Sequence, residues 1–355
     1  MRSITYQESL NLDSTLYLDV RTSAEFEEAT IPGAVNIPLF NEEERAEIGR
    51  VYTKESPAQA RMLGVEFAAP KLPRLLKEIK SLTQDYQNTV IFCARGGLRS
   101  ESIISFCSLI GLSNIFKLEG GYKAYRRFII DKLEDYSLNS ELLVIHGFTG
   151  TGKTDLLYKL KEEGLPIIDL ERLANHRGSA FGSIGLGTAT NQKQFDSLLW
   201  EELERLSNKD LIAVEAESKR IGMSVLPDFF LEAMASGTHI LLQRSLETRI
   251  EQIYSEYSKS YQEDKAAFID RTLESIRAVK KHIIQKTAKS GYNKLIKHCQ
   301  QGNLKKVIEI LLTKYYDPLY QHSQEQHDDF SLIIDEDNLT KVAHRIISFV
   351  NNKNN

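Results

Sequence analysis

Short apolar runs separated by polar stretches of helical length recur along this chain. Leu16 to Val20 (LYLDV), Val90-Ile91-Phe92, Leu142 to His146, Leu165 to Leu170 (LPIIDL), Leu211 to Val214 and Thr238 to Gln243 all read as strands. Apolar residues at helical spacing follow several of them, as in Ile103-Ile104 with Phe106, and Leu156-Leu157 with Leu160. That alternation predicts βα units around parallel sheets. Ala24 to Pro38 reads as a short helix, a turn at Pro32-Gly33 and a strand through Ala34 to Ile37. Leu39 to Pro70 is polar and mostly helical; we read it as solvated helix, with a lid over Cys93 as the alternative. Asp131 to Glu141 reads as a charged connector.

At 355 residues the chain has room for more than one core. The pattern divides it into residues 1–135, a P-loop α/β domain over 136–260, and a helical, basic region over 261–355 that completes or adjoins the second domain. No apolar run reaches the roughly 20 residues of a membrane span, and no signal-peptide pattern opens the chain. The three cysteines, Cys93, Cys107 and Cys299, form neither a disulfide framework nor a Cys-x-x-Cys pair, which suits a reducing cytoplasm. A net charge of −4 makes any nucleic-acid surface a local matter.

Two loops carry the candidate chemistry. In TVIFCARGGLRS, a strand delivers Cys93 into a loop where Gly96 and Gly97 let backbone N–H groups converge on an anion. Arg95 and Arg99 add guanidinium groups suited to oxyanions, and a cysteine in that setting should be largely thiolate. The spacing, Cys-x5-Arg-Ser, is shared with tyrosine and dual-specificity phosphatases and is wide enough for a tetrahedral, phosphate-like group. A buried, inert cysteine is the bland alternative.

The second loop, Gly147 to Thr154 (GFTGTGKT), is a complete Walker A pattern between a strand and an apolar helix. Gly147, Gly150 and Gly152 bring N–H groups onto phosphate oxygens, Lys153 reaches the terminal phosphates, and Thr154 would hold Mg²⁺ if a metal is bound. No other cofactor or metal is implied. Glu215 and Glu217 lie where a Walker B acid is expected, but glutamate replaces the usual aspartate. His176, Arg177 and Ser179 in LANHRGSAFG, with Glu217 and Arg220 in ESKRIG, are candidate substrate contacts at strand ends.

From Arg277 to Lys306 there are nine Lys or Arg, two His and no Asp or Glu. Arg277, Lys280, Lys281, Lys286 and Lys289 are therefore candidate contacts to the phosphates of a nucleic acid, and Tyr292 a candidate stacking platform. A solvated helix face, or one packed against the acidic segments near Asp328-Asp329 and Asp335-Glu336-Asp337, is the alternative.

Residues 1 to 135 resemble the rhodanese fold. The resemblance rests on Asp19-Val20-Arg21, Glu25-Phe26, Ile31-Pro32-Gly33-Ala34, the cysteine strand, and Leu118 to Tyr125. Asp19 and Arg21 could be either site residues or a structural pair at a strand end. The order of CARGGLRS, EGGYKAYRR, GFTGTGKT, LANHRGSAFG and ESKRIG resembles the bacterial tRNA 2-selenouridine synthase family across nearly the whole chain. That resemblance implies a tRNA-modifying transferase acting on wobble 2-thiouridine (position 34 of tRNA). It implies that geranyl diphosphate alkylates the sulfur and that selenium from selenophosphate then replaces the geranylthio group. Cys93 would be the selenium-carrying nucleophile, as a perselenide, in a selenophosphate cradle of Arg95, Gly96, Gly97 and Arg99. The P-loop would grip the diphosphate of the prenyl donor. Rival readings are a Cys-x5-Arg phosphatase or rhodanese sulfurtransferase fused to a nucleotide-binding module, and a non-catalytic tRNA-binding regulator.

Overall fold

The computed structural model describes residues 2–177, 189–319 and 329–353. Two compact units divide it. The first comprises Met1–Asp135 together with Lys193–Trp200, and the second Tyr136–Gln192 with Glu201–Asn355.

In the first unit, strands β1 (Arg2–Ile4), β2 (Thr15–Asp19), β3 (Val35–Asn36), β4 (Asn88–Phe92) and β5 (Ile115–Leu118) form one sheet in the order β1-β5-β4-β2-β3. Every pairing is parallel. Leu16, Leu18 and Ile91 meet Ile103, Ile104 and Cys107 of the helix Leu98–Leu109 in the core. Burying these aliphatic side chains is the main stabilisation of the unit, about 1.5–3 kcal/mol for each large one. The register sets Asp19 opposite Phe92. Arg21 and Cys93 therefore leave the sheet along the same edge. At one end Trp200 packs edge-on against Phe128 at 5.3 Å and Tyr6 at 6.1 Å.

The second unit holds strands β6 (Glu141–Gly147), β7 (Ile167–Ile168), β8 (Leu211–Glu215), β11 (Thr238–Gln243) and β12 (Leu332–Asp335), ordered β12-β11-β6-β8-β7 and all parallel. A two-stranded ribbon, β9 (Arg220–Ile221) with β10 (Ser224–Val225), stands apart. The chain crosses from β6 past β8 to β7, returns, and then continues on the other side of β6. That reversal makes the C-terminal end of β6 the place where a ligand is expected.

LPIIDL forms a shorter strand than its apolar residues suggest. The Asp169 side chain accepts from the Arg172 N–H at 2.8 Å and so caps the helix Leu170–Ala174. Helices Lys153–Glu162 and Leu339–Lys353 cover the sheet with Leu156, Leu160, Val342 and Ile346. Helices Leu246–Glu263, Lys265–Ala278, Lys280–Gln300 and Leu304–Leu311 build a separate core around Phe268, Ile276, Leu295 and Ile308. Ala288 (φ 57°, ψ 173°) breaks the third of these.

Candidate functional site

Cys93 follows β4 directly and is 3% exposed. Its loop is closed from behind by the helix Gly121–Glu134: the Tyr122 N–H donates to the Cys93 carbonyl at 2.9 Å and the Lys123 N–H to the Ala94 carbonyl at 3.0 Å. A Cβ on Gly96 (φ +62°) would sit 2.8 Å from the Leu118 carbonyl oxygen. One on Gly121 (φ +59°) would sit 2.2 Å from that of Cys93. The two glycines interlock, and neither tolerates a side chain. Gly97 has open space and φ −98°, so the backbone path itself does not demand a glycine there.

Burial raises the pKa of the Cys93 thiol, but the Ser100 hydroxyl and N–H, the Arg95 N–H and the charge of Arg99 outweigh it, leaving it below the ordinary value. Ser100 Oγ lies 3.3 Å from Sγ. Cys107 and Cys299 have no comparable donors, and burial pushes each up to about 11. Ser100→Ala should therefore raise the pH midpoint of Cys93 alkylation by iodoacetamide; an unmoved midpoint in the folded variant would free the hydroxyl of that role.

Arg99 donates to Glu25 at 2.9 Å, with both side chains about one-fifth exposed. Arg95 is exposed and lines the opening with Arg45. Arg45 belongs to the helix Glu42–Lys54. The polar stretch read as solvated helix thus lends a cation to the mouth. Asp19 and Arg21 form a buried bidentate pair, closed further by Thr30 and the Ala29 carbonyl, with the guanidinium 4.0 Å from the Tyr122 ring centroid. That is the structural pair, and it braces the loop from within.

In the second unit β6 ends at Gly147, and Gly150 (φ +81°) and Gly152 (φ +74°) turn the chain into the helix Lys153–Glu162. Buried Arg249 donates to the Thr149 carbonyl at 2.9 Å while paired with Asp317, and Arg244 donates to the Thr151 carbonyl at 3.0 Å. Two loop carbonyls are thus held by arginines, which fixes the loop's shape. Lys153 Nζ donates to the Gly147 carbonyl at 3.3 Å. Gly147 itself is a packing position, since a Cβ there would meet Thr151 Oγ1 at 2.6 Å.

The loop opens onto a cavity of about 450 Å³. Gly150, Gly152, Lys153 and Thr154 form one wall, joined by His176, Arg177 and Glu217. Phe268, Leu304, Val307, Ile308, Leu311 and Leu312 form another, from the helical region that the sequence marks only as basic. Arg177 stacks at 4.9 Å over Tyr257, and burial lowers the pKa of His176. Arg220 sits exposed on β9 and does not line this cavity; Ser179 lies outside the described residues.

Glu171, Glu215 and Glu217 also converge here, each offering an oxygen within 4.8 Å of the others. Glu215 is 3% exposed and its Oε1 has no hydrogen-bond partner. Burial, then mutual repulsion, pushes Glu171 up to about 9; burial raises Glu215 to about 7 and also raises Glu217. Thr154 Oγ1 is 3.4 Å from Glu171. An all-oxygen, acidic donor set of this kind fits Mg²⁺. Sequence reading missed Glu171 because no motif spans the short β7 and the helix that follows it.

Arg277, Lys280, Lys281, Lys286 and Lys289 are all exposed. Lys305 and Lys306 are instead paired with Glu251 and Glu309. Tyr292 is 9% exposed within the helical core, with Lys280 5.5 Å from its ring centroid. Its ring face is taken up by packing, so it is not a platform for a base. Asp337 is engaged by Ser245 and Arg244, and Glu336 by Lys341, not by the basic run.

The fold and the two loops define a rhodanese-like domain with a thiolate cradle, joined to a P-loop domain. Residues 5–128 match the model of the rhodanese-like domain, and residues 140–351 that of the tRNA 2-selenouridine synthase AAA domain. The tRNA 2-selenouridine synthase of Bdellovibrio bacteriovorus is 33% identical over 87% of this chain and 89% of that protein. That of Shewanella woodyi is 31% identical over 92% of each. The match to the enzyme of Nitrosomonas eutropha is 38% identical but spans 63% of that relative's length. The chain belongs to the tRNA 2-selenouridine synthase family.

Proposed function

We propose that the chain replaces sulfur by selenium in 2-thiouridine at the wobble position of tRNA, through an S-geranyl intermediate. The observation that carries the reading is the shape of the P-loop cavity: a phosphate-binding wall and an aliphatic wall bound one space. A prenyl diphosphate has that polarity, whereas a nucleotide would ask for polar groups around its base.

In the first half-reaction the thione sulfur attacks C1 of geranyl diphosphate. The S–C bond forms as the C–O bond breaks, and diphosphate leaves with the electron pair. Lys153 and the N–H groups of the P-loop stabilise that departing charge. The geranylthio group is a far better leaving group than a thione sulfur. In the second half-reaction the Cys93 thiolate attacks the phosphorus of selenophosphate, held by Arg95, Gly96, Gly97 and Arg99. The S–P bond forms as the P–Se bond breaks, and selenide leaves with the electron pair. Selenide adds to C2, and geranylthiolate leaves with the C–S electron pair. Water cleaves the cysteinyl phosphate to phosphate and free Cys93, a route that needs no perselenide and no outside reductant.

The test is mass spectrometry of nucleosides from tRNA incubated with the protein, geranyl diphosphate and selenophosphate. Omitting selenophosphate should leave S-geranyl-2-thiouridine, and omitting geranyl diphosphate should leave 2-thiouridine. Selenouridine formed without geranyl diphosphate would overturn the reading.

The tRNA would be held by the exposed cations of the basic run, in a cytoplasmic setting; among the described residues no helix is long and apolar enough to cross a membrane. Lys280→Glu with Lys281→Glu should raise the KM for tRNA and flatten its salt dependence, while geranyl diphosphate affinity stays within about twofold. Unchanged tRNA affinity in a stable double variant would place the RNA surface elsewhere.

A further inference from the structure

The three glutamates beside the P-loop, of which Glu215 is buried, have no place in the chemistry above. Glu171 comes from the short helix after β7, Glu215 ends β8, and Glu217 lies two residues beyond it. Two separate pieces of chain, leaving the neighbouring strands β7 and β8, thus bring three carboxylate oxygens within 4.8 Å of one another. Glu215 is 3% exposed, and its Oε1 lacks any hydrogen-bond partner. An unpaired buried carboxylate oxygen is costly, and crowding two more acids against it adds repulsion. Lys153 acts on all three as a compensating charge, and a bound diphosphate would compete for it.

We propose that Glu171, Glu215 and Glu217, with the Thr154 hydroxyl, form a preformed site for one hard divalent cation, Mg²⁺ or Mn²⁺. The donors are all oxygens, as those ions require. The site differs from a metal centre that exists only once a phosphate ligand has carried its ion in. Three carboxylates can hold the ion before any diphosphate arrives. They are then neutralised, and an anionic ligand can enter a cavity that would otherwise repel it. Glu171 is the telling residue, since it belongs to neither Walker motif.

The second part of this inference, entry of the anion, rests on reading the cavity as a diphosphate site; the first does not. Mn²⁺ binding to the full-length protein is followed by loss of the electron paramagnetic resonance signal of the free aquo ion. The wild-type protein should take up one Mn²⁺ per chain without diphosphate. Glu171→Gln should weaken this by about tenfold or more, judged against an unchanged thermal midpoint. If Glu171→Gln fails to fold, Glu217→Gln, at a partly exposed position, carries the same expectation. Inorganic diphosphate should bind about tenfold more tightly with Mn²⁺ than in EDTA.

No Mn²⁺ uptake by folded wild-type protein would overturn the cation site, as would equal uptake by both glutamine variants. The thiolo analogue of geranyl diphosphate, which resists ionisation, separates the two readings. If it binds where Mn²⁺ does not, the cation site is wrong and the prenyl site stands. If Mn²⁺ and inorganic diphosphate bind but the analogue does not, the cation site stands and the prenyl reading falls.

Discussion

Cys93→Ala should cut selenouridine formation by about 10³-fold or more while S-geranyl-2-thiouridine still accumulates at close to the wild-type rate. The thiolate and the P-loop belong to separately packed units, each with its own core. The substitution removes a sulfur that touches Ser100 and leaves the glycine interlock in place, so the rest of the loop should keep its path. Cys93→Ser is the closer steric match and should be equally inactive, because a serine hydroxyl does not ionise, whereas the donors around this thiol hold its pKa below the ordinary value. Nucleoside mass spectrometry measures both products in one sample. A folded Cys93→Ala protein that also stops geranylating would show that the two chemistries share a centre.

Lys153→Ala should slow geranylation by about 10²-fold or more, the loss expected when one charge-assisted contact to a departing anion is removed. Inorganic diphosphate should also cease to inhibit the variant. Leu311→Trp attacks the other wall of the same cavity. It should raise the KM for geranyl diphosphate by at least about tenfold, yet leave inhibition by inorganic diphosphate intact. Thermal midpoints of both variants guard against a general loss of packing, since Leu311 is also a core residue. The pair of results would separate phosphate recognition from hydrocarbon recognition. ATP hydrolysis stimulated by tRNA and matched one-for-one to product would revive a nucleotide-driven mechanism.

Strands that were apolar throughout and bounded by glycine-rich loops were legible from residues alone. Val90-Ile91-Phe92 and Leu142 to Gly147 are of that kind, and both lead directly into candidate chemistry. Strands β1 and β12 were not legible, because each fully buries a single residue, Ile4 or Ile334, and is too short to show a pattern, although Leu332 of β12 also packs partly against the core. The aliphatic wall escaped notice for a different reason. Leu304, Val307, Ile308 and Leu311 recur at the spacing of any core-facing helix. Nothing in that periodicity says that the core beside them contains a hollow. Asp19 and Arg21 admitted two readings until the third partner, the Tyr122 ring, was seen to take the guanidinium face. Tyr292 illustrates the converse: its basic neighbours suggested nucleic acid, while its own burial assigns it to packing.

The aromatic contact at Trp200 gives the molecule an optical gauge. It is the chain's one tryptophan, it is 5% exposed, and its neighbours Tyr6 and Phe128 belong to the same unit. Selectively excited indole emission therefore reports the integrity of the cysteine-bearing unit, free of overlapping signals from another indole. A fragment cut after Asp135 would lose that emission, and with it the indole that shields Tyr6 and Phe128 from water. Such a fragment should be stickier than the intact chain, and extending it to carry residues 193–200 is the remedy.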